Sequence, residues 1–460
     1  MLFHTWEFMI FFLIVFPVYL FLKKNNRYMN TWLLIASYFF YGWWNPLYLI
    51  LIIISTLIDY CAGIGLSRPK ARRYGWLIMS MVNNLFLLGF FKYYGFFAAN
   101  FNELASFLHL GMRAPLFDIT LPVGISFFTF QSMSYTIDVY RNRLKVETNF
   151  IRFASFVSLF PQLVAGPIER ASNLLLQLEK EPEVKKKMIS DGLSLFLVGL
   201  FKKIALADFM AKYADKVYNS PGEFSSLALV CGTIAFAWQI FFDFSGYTDM
   251  ARGIAKFMGF ELMINFNNPY TATGLRDFWQ RWHISLSTWF KDYVYIPLGG
   301  SRKNKFHTYK NMMLTMIISG FWHGAAWTFL IWGTLHAVGR ALTMELEEKN
   351  FYQRIPRLAK QIFIFAFACL TWVYFRGRSV TEANGILARI FRWDTAGRME
   401  IPVVMFIMIG IIWIYELMFN SSSRKILELA PVRIGLALVM LVYIAFFATA
   451  AHNQFIYFQF

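Results

Sequence analysis

Long apolar runs recur along nearly the whole chain, and short loops rich in Lys and Arg separate them. Hydrophobic residues make up 57% of the 460 positions and charged residues 15%, against roughly 25% charged residues in soluble domains. Runs of about 20 apolar residues are the length that an α-helix needs to cross a bilayer. The sequence therefore predicts an all-α polytopic membrane protein that forms a single domain over residues 1–460.

The basic loops predict the orientation of the spans, because Lys and Arg are concentrated in cytoplasmic loops. Basic clusters follow the predicted spans at 6–22, 47–66 and 122–140. Two predicted crossings separate each cluster from the next, so all three clusters lie on the same side of the membrane. We therefore expect Lys70 and Arg143 to face the cytoplasm and the N-terminus to lie outside it.

Several stretches are too interrupted or too basic to be simple spans. Residues 150–165 contain Arg and are broken by proline, which is typical of a re-entrant or interfacial helix. Residues 252–310 mix aromatic and basic side chains, a pattern typical of helices on the cytoplasmic face. Glycines interrupt the apolar run 312–342 around 320–324. We predict about 10 to 12 transmembrane helices together with re-entrant and interfacial helices.

The charge and the cysteines exclude several other classes of protein. Lys and Arg number 44 against 27 Asp and Glu, a formal net charge of +17, but their place in short loops explains this excess without a nucleic-acid partner. Cys61, Cys231 and Cys369 lie far apart with no CxxC spacing, so neither a disulfide framework nor a metal site is predicted. The chain also has no GxSxG elbow, P-loop, Rossmann glycine run or HExxH motif.

His323 is the histidine with the most unusual surroundings, in the sequence SGFWHGAAW at residues 319–327. Polar side chains at membrane depth are costly and are default candidates for function. The small neighbours allow close approach, and the tryptophans can wall off water. A partly desolvated imidazole there can act as a general base on an alcohol. The residues alone also allow a structural histidine that is bonded to a backbone carbonyl.

Three further motifs carry polar groups among aromatic residues. His283 lies in the sequence RDFWQRWHISLSTW at 276–289, which also fits an interfacial amphipathic helix. The sequence FDFSGYTDMAR at 242–252 stands at the end of a span predicted over 227–244. In residues 159–170, two prolines and a glycine predict a broken backbone, which is tolerated in a membrane only where protein or a cavity surrounds it.

Together these segments make the chain resemble the membrane-bound O-acyltransferase (MBOAT) family, in particular its bacterial branch of alginate O-acetylation proteins. The resemblance implies that His323 matches the signature histidine of the family and that His283 matches its second polar position, often Asn in other branches. It also implies a helical funnel in which a cytoplasmic thioester donor meets an acceptor from the outer side. The segments that carry it lie at 121–130, 160–170, 242–247, 278–289, 320–324 and 455–460.

The resemblance further implies an O-acetyltransferase of the bacterial inner membrane. It would move an acetyl group from acetyl-CoA, with no bound cofactor, for O-acetylation of alginate, cellulose or peptidoglycan beside an extracytoplasmic esterase- or transferase-like partner. We expect cations of the basic stretch to hold the donor phosphates. An exporter of D-alanyl or other acyl groups, a transporter and a non-catalytic scaffold are the alternatives. The candidate donor-binding residues are Arg276, Arg281, Lys291, Arg302 and Lys303, with Lys305 beside them.

Overall fold

The computed structural model describes residues 1–68, 70–419, 421–447 and 455–456. Over these ranges the chain is helical, with one isolated β-bridge between Phe224 and Arg398, which confirms the all-α prediction. The helices are α1 Trp6–Leu22, α2 Asn26–Gly42, α3 Tyr48–Leu66, α4 Lys70–Leu88, α5 Tyr94–Phe107, α6 Ile125–Tyr140, α7 Phe150–Ser158, α8 Phe160–Leu163, α9 Ala171–Glu179, α10 Lys186–Phe201, α11 Asp208–Asn219, α12 Ser226–Phe257, α13 Leu275–Arg281, α14 Ile284–Phe290, α15 Lys305–His323, α16 Trp327–Leu346, α17 Asn350–Arg354, α18 Arg357–Arg376, α19 Val380–Arg392, α20 Val403–Phe419, α21 Arg424–Leu427 and α22 Ala430–Phe447.

Short non-α turns join some of these helices into longer ones. π-helical turns lie at Gly89–Tyr93, Lys202–Ala207 and Lys291–Tyr295, and 3-10 turns lie at Pro221–Glu223 and Pro269–Thr271. The first π-turn connects α4 directly to α5, so this helix continues to Phe107. The second connects α10 to α11 in the same way. Such π-bulges are uncommon and often occur near functional sites.

Membrane-spanning character is visible in the lengths and compositions of the helices. Among the described residues, four helical segments are long and apolar enough to cross a membrane, and three shorter helices are also apolar. The total of about 10 to 12 crossings stays a prediction. The four long segments are Tyr48–Leu66, Arg72–Phe107, Ser226–Phe257 and Arg357–Arg376, and the shorter ones are Trp6–Leu22, Val403–Phe419 and Ala430–Phe446.

Helix α12 differs most from the prediction. It was expected to end near residue 244, but it runs for 32 residues to Phe257, so the motif at 242–252 lies inside a helix and not at its end. Two of its acidic residues are paired: Asp243 lies 2.8 Å from Lys203 and Asp249 lies 2.7 Å from Lys202. Paired charges can be accommodated within a helix bundle, so these carboxylates do not mark a boundary.

Contacts divide the chain into two compact units, and the first comprises Met1–Phe196 and Ala251–Met263. Here α2, α3, α4, α6 and α7 pack together. The predicted backbone break is confirmed: α7 ends at Ser158, α8 covers only Phe160–Leu163, and non-helical residues follow. Glu169, just after this break, is fully buried and accepts hydrogen bonds from the Met263 amide and the Asn173 side chain.

The second unit comprises Leu197–Met250 and Ile264–Phe460. Helices α15 and α16 form a hairpin, α16 packs against α13 and α18, and α18 packs against α19. Its apolar core is dominated by aromatic side chains, among them Trp238, Trp282, Trp332 and Trp372. Both candidate histidines belong to this unit. The expectation of one domain over 1–460 stays a prediction.

Candidate active site

The α15–α16 hairpin is built on glycines that let two helix backbones touch. A Cβ atom on Gly333 would lie 2.5 Å from the Met316 carbonyl oxygen and 3.2 Å from the Gly320 Cα. A Cβ on Gly320 would clash with the Phe329 carbonyl oxygen. Any larger residue at these two positions would force the helices apart. The glycines around 320–324, predicted to permit close approach, do so here.

His323 is the last residue of α15, where the hairpin turns at Gly324. Its side chain is buried, with 3% of its surface exposed. Aromatic rings surround it: the ring centroids of Trp322 and Trp332 each lie 5.1 Å away, and that of Phe375 lies 5.5 Å away. The predicted tryptophan wall is therefore present, but Trp332 of α16 supplies its second ring and Trp327 is exposed.

His283 lies beside His323 although 40 residues separate them in the sequence. Their ring centroids are 6.4 Å apart, and Trp322 lies 6.2 Å from His283. His283 is fully buried between α13 and α14 and packs edge-on against Phe244 at 4.7 Å. Two imidazoles thus meet within an aromatic enclosure.

The backbone of His283 is unusual, with φ 42° and ψ 55°. A non-glycine residue in this left-handed region is uncommon, and such conformations cluster at functional sites. Neighbouring hydrogen bonds hold it: the Ile284 amide donates to the Asn265 carbonyl at 2.9 Å, and the Asn267 amide donates to the Arg281 carbonyl at 3.0 Å. The segment before α13 therefore fixes the position of the histidine.

The Asn265 side chain makes the polar contacts of His283. Its Oδ1 lies 3.0 Å from His283 Nδ1, 3.0 Å from the Ser285 hydroxyl and 3.3 Å from the Ser285 amide nitrogen. Asn265 is itself 1% exposed. Burial lowers the pKa of His283 to about 3, so its imidazole is neutral at physiological pH.

A third buried histidine was not singled out in the sequence. His336 of α16 has no exposed surface, and its Nε2 lies 3.0 Å from the Thr371 hydroxyl. It stacks against Phe278 at 6.0 Å and meets Trp279 edge-on at 5.0 Å and Trp332 at 4.9 Å. Its position in an otherwise apolar run gave no motif signal. His336 lies about one helical turn beyond Trp332 on α16, so it continues the aromatic enclosure along this helix.

Several of the predicted donor-binding cations lie away from His323. Lys305 begins α15 and His323 ends it, which separates them by roughly 27 Å along the helix axis. Lys305 pairs with Glu345 at 2.8 Å, and Gly274, just before α13, approaches the Glu347 carboxylate. Arg276 at the start of α13 and the loop of Arg302 therefore share the end of the hairpin opposite His323. Among the candidates, Arg276, Lys291, Arg302 and Lys303 are exposed.

Arg281 differs from the other candidates because it is already paired. Its Nε donates to the Asp277 carboxylate at 2.6 Å, and its guanidinium also reaches the Asn267 carbonyl at 3.4 Å. Both contacts hold the segment that precedes His283. Arg281 can therefore support the geometry of the site as well as bind an anion.

The motif at 242–247 contacts both the site and the chain terminus. Asp243 accepts a hydrogen bond from the Ile456 amide at 2.7 Å, and the Phe455 ring lies 4.9 Å from Tyr247 and 5.9 Å from Phe244. Phe244 is also the ring that packs against His283. The rest of the C-terminal segment, residues 457–460, lies outside the described residues.

Comparison with known proteins identifies the family. The sequence model of the MBOAT, membrane-bound O-acyltransferase, family matches residues 128–357, a range that contains both histidines. Three relatives illustrate the match. A probable alginate O-acetylase AlgI of Pseudomonas aeruginosa is 40% identical over 394 residues, covering 84% of this chain and 74% of the relative. A probable alginate O-acetylase AlgI of Pseudomonas putida is 35% identical over 491 residues, covering 98% and 99%. A peptidoglycan O-acetyltransferase of Helicobacter pylori is 37% identical over 394 residues, covering 79% and 74%.

These matches extend well beyond the segments that first suggested the resemblance. They agree with a helical chain that carries several apolar helices of membrane-spanning length. The protein is a multi-pass membrane O-acyltransferase, and it belongs to the membrane-bound O-acyltransferase family.

Proposed function

We propose that this enzyme moves an acetyl group from acetyl-CoA, supplied on the cytoplasmic side of the bacterial inner membrane, towards a polysaccharide hydroxyl outside, with His323 as general base. The observation that carries the proposal is the pairing of His323 and His283, 6.4 Å apart between ring centroids, in an enclosure of tryptophan and phenylalanine. A polar pair of this kind is costly to bury without a use for it.

The proposed reaction needs one proton transfer and one acyl transfer. His323 removes the proton of the attacking hydroxyl as its oxygen bonds to the thioester carbonyl carbon. When the tetrahedral intermediate collapses, the carbon–sulfur bond breaks and the imidazolium returns the proton to the leaving thiolate. The products are an acetyl ester and the free thiol of coenzyme A. No redox partner or metal is required.

The aromatic enclosure supports this chemistry by excluding water. Trp322, Trp332 and Phe375 cover His323 on several sides. Water is the competing nucleophile for a thioester, so its exclusion favours transfer over hydrolysis. Holding both reactants against a fixed base supplies much of the rate through orientation.

The donor would approach through the basic end of the α15–α16 hairpin. Arg276, Arg302 and Lys303 are exposed there, and such cations suit the phosphates of coenzyme A. In this pose the phosphates and the thioester would lie towards opposite ends of α15, which is roughly 27 Å long. Arg281 and Lys291 lie between Arg276 and Arg302 in the sequence of the same basic stretch.

The names of the relatives guide the choice of acceptor. They are described as acetylating alginate and peptidoglycan, both polysaccharide-containing polymers with free hydroxyl groups. We extend this to the present chain as a polysaccharide acceptor: the chain itself forms the ester, and a separate extracytoplasmic esterase- or transferase-like protein assists it in the cell. The N-terminus outside the cytoplasm is part of the same proposal.

The test uses the full chain in nanodiscs with acetyl-CoA that carries a radioactive acetyl group. Acetyl transfer to alginate oligosaccharides and to peptidoglycan fragments is measured together with release of free coenzyme A. We expect transfer that His323→Asn abolishes and His109→Asn preserves. Equal transfer by His323→Asn would contradict the role of His323. Activity with a D-alanyl thioester but not with acetyl-CoA would replace the proposed donor by the D-alanyl alternative.

A further inference from the structure

The orientation of the Asn265 amide is fixed by a backbone group. The Ser285 amide nitrogen can only donate a hydrogen bond, and it lies 3.3 Å from one side-chain atom of Asn265. That atom must therefore be the carbonyl oxygen and not the amide nitrogen. The Ser285 hydroxyl, 3.0 Å from the same oxygen, adds a second donor.

This orientation determines which ring nitrogen of His283 carries the proton. His283 Nδ1 lies 3.0 Å from the same Asn265 oxygen. A carbonyl oxygen only accepts, so Nδ1 must be the donor and must carry the hydrogen. In a neutral imidazole the other nitrogen, Nε2, then holds the lone pair. The low pKa of this buried ring, about 3, keeps it neutral at physiological pH.

We infer that Asn265 is a positioning residue that holds His283 in the Nδ1–H tautomer, so that Nε2 accepts a hydrogen bond from the acceptor hydroxyl and orients it for His323. This inference rests on the proposed acyl transfer. It excludes polarisation of the thioester by His283, because an Nε2 atom without a proton cannot donate to a carbonyl oxygen.

The backbone around Asn265 allows the side chain to be tested separately from the fold. The main chain of residues 265–267 is tied to residues 281–284 by the two backbone hydrogen bonds described above. A substitution at position 265 keeps both bonds. Asn265→Asp retains an acceptor for all three donors, whereas Asn265→Leu has similar volume and no acceptor.

The first test observes the tautomer directly. The full chain is labelled with ¹⁵N in its histidine rings, and spectra in nanodiscs at pH 7 are compared with those of His283→Asn to assign the His283 signals. We expect a protonated Nδ1 and an unprotonated Nε2 in the wild type. A protonated Nε2 would overturn the inference whatever the activity shows.

The second test is kinetic and uses the same preparations. We expect Asn265→Leu to lower kcat by about 10- to 100-fold, as loss of an orienting second-layer group typically does, with little change in KM for acetyl-CoA. Asn384→Leu removes the acceptor of the Tyr374 hydroxyl in the same unit and serves as the matched control, with wild-type kinetics expected. Unchanged kcat in Asn265→Leu would overturn the positioning role.

The pH profile separates positioning from simple packing. In Asn265→Asp a carboxylate faces Nδ1, which favours the charged imidazolium and raises the pKa of His283. Above this new pKa the ring is neutral and kcat should be near wild type. Below it Nε2 is protonated and cannot accept, so activity should fall at a higher pH than in the wild type. An unshifted acid limb would contradict the inference. Normal transfer in His323→Asn together with a protonated Nδ1 on His283 would refute His323 as the base and leave only the tautomer of His283 standing.

Discussion

The glycine contact of the α15–α16 hairpin should control both the stability and the activity of this enzyme. In Gly333→Ala the new Cβ would begin 2.5 Å from the Met316 carbonyl oxygen, a backbone atom that cannot rotate away. Real Cβ atoms essentially never come closer than 3.0 Å to such a neighbour. The two helices must therefore separate by at least about half an ångström.

Two opposing free energies set the size of the effect. Replacing glycine by alanine inside a helix gains about 1 kcal/mol, whereas overpacking a close contact costs about 1–3 kcal/mol. We expect a net loss of about 0–2 kcal/mol in the free energy of unfolding. His323 lies three residues beyond Gly320, at the end of the displaced helix. Since a 1 Å misplacement can cost on the order of 100-fold in rate, half of it should cost roughly 10-fold.

A second glycine provides the matched control. Gly410 in α20 is also helical, but a Cβ there would meet nothing within 4 Å. Gly410→Ala should keep full activity and unchanged or slightly higher thermal stability. The assays are tryptophan-monitored thermal unfolding in detergent and acetyl transfer in nanodiscs. If Gly333→Ala matched Gly410→Ala in both assays, the hairpin contact would not position His323.

Three further predictions address charge, topology and donor binding. Lys203→Met leaves two buried carboxylates without their shared cation and should lower the free energy of unfolding by about 3–5 kcal/mol. The control Lys216→Met removes an exposed ion pair and should lower it by at most about 1 kcal/mol. Equal losses of the two variants in thermal unfolding would contradict this prediction. A cysteine placed at Lys70 should react with an impermeant label only from the cytoplasm, and one placed at Phe117 only from outside. Labelling from the opposite sides would overturn the predicted topology. Lys303→Ala should raise the KM for acetyl-CoA and make this KM less dependent on salt, while kcat stays constant. A fall in kcat with an unchanged KM would show that Lys303 does not bind the donor.

The sequence predicted those features that depend on local chemistry. Helix α1 has the predicted bounds, because a run that is apolar except for Glu7 follows the capping residue Thr5. The turn at Gly324 and the break at Leu159 lie beside glycine and proline residues, which favour helix ends there, although α1 and α15 also contain Pro17 and Gly320 in their interiors. The family resemblance identified His283 beside His323 as a candidate, but their proximity could not be predicted, because 40 intervening residues leave their distance open.

The features that were missed depend on tertiary pairing. The length of α12 was underestimated because the span was predicted to end near residue 244, whereas lysines of the preceding π-turn neutralise Asp243 and Asp249 within the longer helix. Asn265 gave no signal, since an asparagine in a polar segment is ordinary until the fold brings it against His283. His336 was overlooked for the same reason: its partner, Thr371, lies 35 residues away on α18.

The most direct test of the account is a single-turnover comparison of the wild type, His323→Asn and His109→Asn in nanodiscs. The enzyme is preloaded with radioactive acetyl-CoA, and ester formation on added polysaccharide is followed in time. His109 is exposed and already has a positive φ of 53°, so asparagine suits its backbone and should leave the rate unchanged. The account predicts a loss of about 10²- to 10⁴-fold for His323→Asn, with donor binding and thermal unfolding as in the wild type. Ester formation by His323→Asn at the wild-type rate would contradict it.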